Sequence, residues 1–315
     1  MQQQPNSSTD HSIPTKDSGG GAPQEKVSGK ASNFLIRTLT GILFVGVMVG
    51  GILYSPITCA FLFFVITILT TWEFTGVVNL REDTEVNRFI TTVAAAAFYL
   101  GCWGYAVTDF PSLAFLPWLL SIVYLLISEL YLQRSHPLQN WAMALMAQLY
   151  VALPFSLLLF ILHASDLELY TVLHHEGYQC VLAIFIFLWC SDTGAYCCGS
   201  LFGKHKLFPR VSPGKTWEGS VGGGIVTVAA SQLVACYAPV LTPWQWAGFA
   251  LVVVVFGTWG DLVESLLKRY LGIKDSGHIL PGHGGMLDRF DSSLIAIPAS
   301  FVYLCILGYG MMSAF

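Results

Sequence analysis

Residues 244–291 read WQWAGFALVVVVFGTWGDLVESLLKRYLGIKDSGHILPGHGGMLDRFD, and this stretch decides the fold class. The run from 244 to 259 contains no charged side chain, and a second apolar run begins at Ser292. The segment between them, 260–291, is dense in charge and glycine, although the whole chain is only 11% charged. Apolar runs that flank a concentrated polar segment indicate a membrane protein with a polar site near one membrane face.

The first half of the polar segment is predicted to continue the preceding helix. Asp261, Glu264 and Lys268 are spaced by three and four residues, with Ser265 beside them, so they share one helical face. Two carboxylates and a cation on one face can bind a divalent metal beside an anionic ligand. The alternative is a Glu264–Lys268 pair on a solvated helix end, which contributes only about 0.2–0.5 kcal/mol. The face alone leaves both interpretations open.

The second half of the segment favours the ligand-binding interpretation. Residues 281–285, PGHGG, are too rich in glycine for a helix, and successive glycine amides can form a concave anion site. Asp288, Arg289 and Asp291 follow immediately, although one of the two aspartates can instead cap the next helix. Carboxylates are the oxygen ligands that Mg²⁺ prefers. The pattern therefore predicts a Mg²⁺–phosphate site for metal-assisted phosphoryl or nucleotidyl transfer.

Composition restricts the class of protein. The chain has 315 residues, of which 54% are hydrophobic, and its mean hydropathy is +0.62, which together indicate a polytopic membrane protein. The eight cysteines lie in or beside apolar runs without CxxC spacing, so we interpret them as buried apolar residues rather than a disulfide framework. Residues 1–32 are polar and are predicted to form a disordered cytoplasmic tail.

Hydropathy predicts an all-α protein with about nine transmembrane helices. Residues 33–176 would supply the N-terminal transmembrane helices, and residues 177–315 the C-terminal transmembrane catalytic region. The nine predicted spans are about 34–54, 57–78, 89–107, 110–130, 138–163, 178–199, 217–239, 244–267 and 292–313.

The basic residues predict the orientation of these spans. All fifteen Lys and Arg residues can be assigned to one side of the membrane. By the positive-inside rule, the N-terminus is cytoplasmic and the C-terminus external. The loops 200–216 and 268–291 then face each other on the cytoplasmic side. Glu73 and Glu129, at cytoplasmic span ends, are expected to face lipid headgroups.

The 200–216 loop and its flanks carry further candidate residues. Asp192 lies within an apolar run, and an ionisable residue at that depth is a functional candidate, the alternative being a hydrogen-bonded packing residue. Ser212 and Pro213 are predicted as a helix N-cap and first helical residue, which would direct free amides and Lys215 at an anion. The glycine run 222–224 is expected to permit close helix packing.

Two regions of the chain resemble a known family. The residues SLLKR at 265–269, KD at 274–275 and PGHGGMLDRFD at 281–291 closely resemble the C-terminal signature of phosphatidate cytidylyltransferases. SDTGAY at 191–196, FGKHKL at 202–207 and SPGKTWEG at 212–219 resemble a second block of that family. Gly214 departs from the pattern, because Lys is more frequent there.

The resemblance implies the reaction of CTP with phosphatidic acid to give CDP-diacylglycerol and pyrophosphate. On this hypothesis, Asp261 and Asp288 hold the catalytic Mg²⁺, supported by Glu264, Asp291 or Asp192. His283 and the amides of Gly284 and Gly285 contact the triphosphate or pyrophosphate. The phosphate-binding cations would be Lys215, Lys268, Arg269, Lys274 and Arg289, of which Lys268 and Arg289 join Asp261 and Asp288 in the catalytic set.

The implied partners are CTP, phosphatidic acid and the lipid bilayer, with no nucleic acid. The site would lie on the cytoplasmic face of a multi-pass protein of the cell (inner) membrane, and short loops favour a bacterial source. The sequence leaves open whether a monovalent cation assists and whether the protein is a homodimer. Two alternatives remain, which are a CTP-dependent polyprenol kinase and a transporter with intramembrane acidic residues.

Overall fold

A computed structural model describes residues 25–107, 111–163, 176–277, 279 and 284–312. These described residues form eleven α-helices and one short β-hairpin. The helices are α1 (Glu25–Tyr54), α2 (Pro56–Val78), α3 (Arg88–Val107), α4 (Leu116–Leu132), α5 (Pro137–Ala147), α6 (Leu153–Leu162), α7 (Gly177–Phe202), α8 (Trp217–Tyr237), α9 (Pro243–Tyr270), α10 (Leu287–Phe290) and α11 (Ser293–Met312). The antiparallel strands are β1 (Lys206–Phe208) and β2 (Ser212–Thr216).

The predicted all-α membrane architecture is confirmed. Within the described residues, eight helices are long and apolar enough to cross a membrane. They correspond to the second through ninth predicted spans. The first predicted span, 34–54, falls in α1, where the described apolar part, Thr38–Tyr54, is shorter. Helix α1 begins at Glu25, before the predicted tail boundary, whereas residues 1–24 lie outside the described part.

Two features of these helices follow directly from local sequence. Ser55 and Thr58 form a reciprocal capping box at the start of α2, and Thr242 and Gln245 do the same for α9. Each helix then has proline in its first turn, where no intrahelical amide bond is lost. Between α5 and α6 the helix continues as a π-helical segment, Gln148–Ala152, so the two helices form one membrane span, Pro137–Leu162.

The hairpin corrects one prediction about the 200–216 loop. Ser212 and Pro213 do not begin a helix, because they lie in β2, paired with β1. Thr216 is the N-cap of α8 instead, and its hydroxyl accepts a hydrogen bond from the Gly219 amide at 3.1 Å. Strand pairing satisfies the backbone of the loop, and the helix begins four residues later than a cap at Ser212 would place it.

Helices α7 and α8 pack closely, as the glycine run predicted. A Cβ atom at Gly223 would lie 2.6 Å from the Ser191 carbonyl oxygen, a separation that no real side chain tolerates. Gly223 therefore allows the backbones to approach, and small residues serve this purpose between membrane helices. Asp192 is the next residue along α7 after Ser191, so it lies near this contact with α8.

Four phenylalanine rings hold the centre of the fold together. Phe63 of α2 stacks on Phe155 of α6 and Phe185 of α7, with ring centroids 6.1 and 5.4 Å apart. Phe290 of α10 meets Phe155 and Phe185 edge-on, at 5.4 and 6.2 Å. All four are buried. Phe290 is flanked by the signature residues, so this aromatic cluster fixes them against helices from both halves of the chain.

Candidate active site

The predicted polar face of α9 is confirmed. The Ser265 hydroxyl donates a hydrogen bond to Asp261 Oδ1 at 3.1 Å, and Lys268 Nζ lies 2.5 Å from Glu264 Oε2. Both pairs are separated by four residues, as on one face of a helix. Unlike a solvated pair, however, Glu264 is fully buried and Lys268 is largely buried. This burial contradicts the alternative of an ion pair on a solvated helix end.

Lys268 connects α9 to the glycine-rich signature segment. Its ammonium group lies 2.8 Å from Asp288 Oδ1 while it also contacts Glu264. The other carboxylate oxygen of Asp288, Oδ2, accepts the amides of Ser276 at 2.9 Å and Gly285 at 3.0 Å. Gly284 just before it has a φ of 81°, in the left-handed region that favours glycine. Asp288 therefore holds the turn before α10 and does not cap α11.

A second group of carboxylates lies where α7 and α9 meet the turn between α10 and α11. Asp192, Asp261 and Asp291 are within electrostatic range of one another. The approach is close because Gly260 packs against the backbone at 291–292. Asp291 Oδ1 accepts a hydrogen bond from the amide of the next residue, Ser292, at 2.5 Å. These three residues form an acidic group from α7, α9 and the turn between α10 and α11.

Lys215 brings the hairpin onto this acidic group. Its ammonium forms an ion pair with Asp261 Oδ2, and both side chains are about one quarter exposed. The loop before the hairpin is fixed by Glu218, whose carboxylate accepts the backbone amides of Lys204 and His205 at 3.2 Å. The loops 200–216 and 268–291 were predicted to face each other, and helix α9 contacts the first and leads into the second.

The remaining predicted cations line the same end of the molecule. Arg269 is exposed and its Nε donates to the Val211 carbonyl at 3.4 Å, which ties the end of α9 to the hairpin. Lys274 follows α9 and is exposed, and Arg289 is exposed on α10. His283 lies outside the described residues.

Two acidic residues do not lie where the sequence placed them. Glu73 and Glu129 are buried, with 6% and 7% of their surface exposed, so neither faces lipid headgroups. Glu129 pairs with Arg134 at 2.8 Å, away from the signature. Glu73, in contrast, accepts the Met286 amide at 2.7 Å and the Ser276 hydroxyl. Glu73 is an ionisable residue within an apolar helix, and this feature of the sequence could have identified it as a functional candidate.

The donor chemistry of the acidic group suits a hard divalent cation. Asp192, Asp261 and Asp291 offer carboxylate oxygens, the ligands that Mg²⁺ favours. Within the described residues, no three His, Cys, Asp or Glu side chains are arranged closely enough to form a ready metal site. The Lys215 ammonium is the group that neutralises Asp261 in this arrangement. The residue types therefore fit a cation, which would have to compete with Lys215.

An apolar groove adjoins this polar end. It lies between the hairpin, α8 and α9, and has a volume of about 770 Å³. Trp217, Gly224, Val254, Trp259 and Leu262 are among its lining residues. Leu262 is the neighbour of Asp261 in the chain, so the groove and the acidic group lie on adjacent parts of α9. A ligand with a charged head and an apolar tail would find both surfaces together.

Comparisons with known proteins agree with the resemblance in the sequence. A model of the cytidylyltransferase family matches residues 35–307. A phosphatidate cytidylyltransferase of Staphylococcus haemolyticus (strain JCSC1435) is 32% identical over 265 residues, which cover 84% of this chain and 96% of the relative.

Matches to shorter segments have a higher sequence identity. A phosphatidate cytidylyltransferase of Staphylococcus aureus (strain COL) is 46% identical over 124 residues, which cover 39% of this chain and 48% of the relative. A protein of the same name from Staphylococcus saprophyticus is 47% identical over a match of the same length. In these two cases the chain therefore spans about half the length of the relative it matches. Because the family model matches most of its length, the chain belongs to the cytidylyltransferase family.

Proposed function

We propose that this protein is a phosphatidate cytidylyltransferase, which converts CTP and phosphatidic acid into CDP-diacylglycerol and pyrophosphate. The observation that carries the proposal is the contact of Lys215 with Asp261 beside the apolar groove. A charged site and an apolar groove on one helix suit a lipid phosphate that reacts with a soluble nucleotide. The names of the relatives from three Staphylococcus species support the same reaction.

The reaction requires charge neutralisation more than proton transfer. A phosphate oxygen of phosphatidic acid attacks the α-phosphorus of CTP, and the bond from that phosphorus to the bridging oxygen breaks. The bond's electron pair leaves with pyrophosphate. Because both reactants are anions, the protein must hold them together and stabilise the charge that develops on the leaving group. The attacking phosphate is already an anion and needs little help from a general base.

The cations of the site would have separate roles in binding the phosphates. Lys215 would exchange its contact with Asp261 for a substrate phosphate, and Lys268 would remain beside Asp288 to orient the signature segment. Lys274 and Arg289, which are exposed at the same end, would bind the triphosphate. Arg269 and the amides of Gly284 and Gly285 are further candidates for phosphate contacts. Backbone amides and cations of this kind are effective anion ligands.

We propose that Mg²⁺ binds Asp261 with Asp291 and Asp192, because these carboxylates lie close enough to interact electrostatically. Asp288 is a weaker candidate than its place in the signature suggests, because Lys268 and two amides occupy its oxygens. Glu264 is also committed to Lys268. When bound, Mg²⁺ would supply positive charge at the phosphates. Asp261 and its partners would orient the nucleotide by holding that charge in place.

The groove suits the acyl chains of the lipid substrate. Its lining is almost entirely apolar, and it reaches Leu262, one residue from Asp261. Acyl chains in the groove would place the lipid phosphate at the polar end of α9. The distribution of Lys and Arg supports a cytoplasmic position for this end and for the N-terminus. We therefore propose a multi-pass protein of a bacterial cell membrane with its active site on the cytoplasmic face.

The decisive experiment uses purified protein in detergent micelles with phosphatidic acid, Mg²⁺ and CTP radiolabelled at either the α- or the γ-phosphorus. We expect label from the α-position in the lipid product, with release of pyrophosphate, and loss of transfer on chelation with EDTA. Label from the γ-position in lipid would instead identify a CTP-dependent lipid kinase. Absence of transfer from either position, with Mg²⁺ present, would reject both enzymes and leave the transporter to be tested.

A further inference from the structure

Glu73 is separated from the signature segment by about two hundred residues of chain, yet it contacts both described ends of that segment. It lies in α2, and 6% of its surface is exposed. One carboxylate oxygen, Oε1, accepts the Ser276 hydroxyl. The other, Oε2, accepts the Met286 amide at 2.7 Å. Ser276 precedes the glycine-rich part of the segment and Met286 follows it.

Ser276 joins Glu73 to the charged residues of the site. Its hydroxyl donates to Glu73, while its backbone amide donates to Asp288 Oδ2 at 2.9 Å. Asp288 in turn contacts Lys268. Glu73, Ser276, Asp288 and Lys268 therefore form one continuous polar chain from α2 through the signature segment to α9. A change at Glu73 would therefore reach Lys268 through three successive contacts.

The neighbouring backbone is shaped to admit the Glu73 carboxylate. A Cβ atom at Gly285 would lie 1.6 Å from Glu73 Oε1 and 2.3 Å from the Ser276 hydroxyl oxygen. A Cβ at Gly277 would lie 2.8 Å from the carboxyl carbon of Glu73. No other residue type fits at Gly285 without displacing the carboxylate. The absence of a side chain at Gly277 and at Gly285 therefore leaves the space that the Glu73 carboxylate occupies.

We propose that Glu73 is a positioning residue that anchors both ends of the signature segment to α2 and thereby holds Asp288 and Lys268 in place for the nucleotide phosphates. The inference rests on the proposed function for its effect on CTP, but not for the anchor itself. Glu73 touches neither substrate. It acts through Ser276 and Met286, and hydrogen bonds from these donors to a buried carboxylate are among the stronger ones in proteins.

The proposal predicts different behaviour for two substitutions. Glu73→Ala removes both acceptors and leaves the Ser276 hydroxyl and the Met286 amide buried without their partner. Glu73→Gln can keep both contacts, because its amide oxygen can accept from Met286 and its amide nitrogen can donate to the Ser276 hydroxyl oxygen. Glu129→Ala is the matched control, because Glu129 is equally buried and pairs with Arg134 and Asn140 at 2.8 and 3.0 Å, away from the signature.

The test combines amide hydrogen exchange with kinetics on the full-length protein in micelles. In Glu73→Ala we expect the amides of 276–277 and 284–291 to exchange at least about tenfold faster, and kcat/KM for CTP to fall by about tenfold or more. The KM for phosphatidic acid should not change, because neither Glu73 nor its partners Ser276 and Met286 line the groove. Glu73→Gln should fall between Glu73→Ala and the wild type, and Glu129→Ala should leave exchange in these segments unchanged.

Three results would overturn the proposal. Wild-type exchange in Glu73→Ala would show that the anchor does not hold the segment. The same exchange change in Glu129→Ala would show that any lost buried carboxylate has this effect. Equal damage from Glu73→Gln and Glu73→Ala would contradict the two-contact geometry. If the wild-type protein transfers no nucleotidyl group to lipid, the proposed function fails, whereas hydrogen exchange still decides whether Glu73 anchors the segment.

Discussion

The ammonium of Lys268 lies between two carboxylates, 2.5 Å from Glu264 Oε2 and 2.8 Å from Asp288 Oδ1. Glu264 is fully buried, and its Oε1 accepts no hydrogen bond from any described residue. Lys268 thus has two tasks, because it compensates the buried charge of Glu264 and also orients Asp288. These tasks can be separated by mutation.

Replacing Lys268 alone should destabilise the protein. Lys268→Met would leave Glu264 buried without its cation, and removal of one partner from a buried pair costs about 3–5 kcal/mol. The double variant Lys268→Met with Glu264→Gln should recover most of the thermal stability but not the activity. Thermal unfolding in detergent, read beside CTP turnover, checks both statements. Recovery of activity in the double variant would show that Lys268 only stabilises the fold.

Asp261 should be required for turnover but not for folding. Asp261→Asn removes the charge that contacts Lys215 and, in our proposal, the carboxylate that binds Mg²⁺. We expect kcat to fall by at least about 100-fold with an unchanged unfolding temperature, since the side chain is partly exposed and its shape is kept. Asp275→Asn, at an exposed position of the same segment, is the control. Near-normal turnover in Asp261→Asn would refute the metal assignment.

The aromatic contact of Phe290 should matter for both stability and activity. Phe290→Ala would leave a cavity between Phe155 and Phe185, and such losses typically cost about 3–5 kcal/mol. Phe290→Leu fills more of the space and should cost less. Because Asp288 and Asp291 lie within two residues of this ring in the chain, we expect kcat to fall in the same order. Equal activity in both variants and the wild type would mean that the ring does not position the aspartates.

The groove can be tested by filling it. Gly224 lines the groove, and a Cβ there meets only Val254, at an ordinary contact distance of 3.7 Å. Gly224→Leu should therefore fold but raise the KM for long-chain phosphatidic acid several-fold, roughly in proportion to the apolar contact that is lost. The KM for CTP should stay unchanged. Gly46→Leu, at an open position on α1 away from the groove, controls for added apolar surface. A parallel rise in both KM values would place the lipid elsewhere.

The membrane orientation can be checked with one cysteine. Gly214 is exposed, and a Cβ at this position meets no atom within 4 Å, so Gly214→Cys should be tolerated. In a variant without the exposed native residues Cys197 and Cys236, an impermeant maleimide should label position 214 in inverted vesicles and not in intact cells. Labelling in intact cells would reverse the proposed orientation and move the site to the external face.

Hydropathy and helical spacing were sufficient for most of the architecture. Eight predicted spans coincide with helices because each is a local property of one apolar run. The face of Asp261, Glu264 and Lys268 was equally predictable, since it follows from the period of a single helix. The prediction of an N-cap at Ser212 was wrong, because the pairing of two strands cannot be predicted from the residues of either strand alone.

The contacts of the site were harder to predict because they join distant parts of the chain. Nothing in the local sequence links Glu73 with Met286, and its place near the end of an apolar span favoured a lipid-facing position. The sequence also could not decide how Asp288 is used. Its oxygens are taken by Ser276, Gly285 and Lys268, and that pattern depends on how the turn before α10 folds.

The four-ring cluster of Phe63, Phe155, Phe185 and Phe290 limits how this protein can be recombined with its relatives. Two of its rings come from residues before 176 and two from residues after 177. A chimera that exchanges residues 177–315 for those of a relative would bring two foreign residues, at positions 185 and 290, into a packing arrangement shaped by Phe63 and Phe155. A functional chimera should therefore require that α2 and α6 are transferred together with the signature segment, even though neither helix carries a recognisable motif.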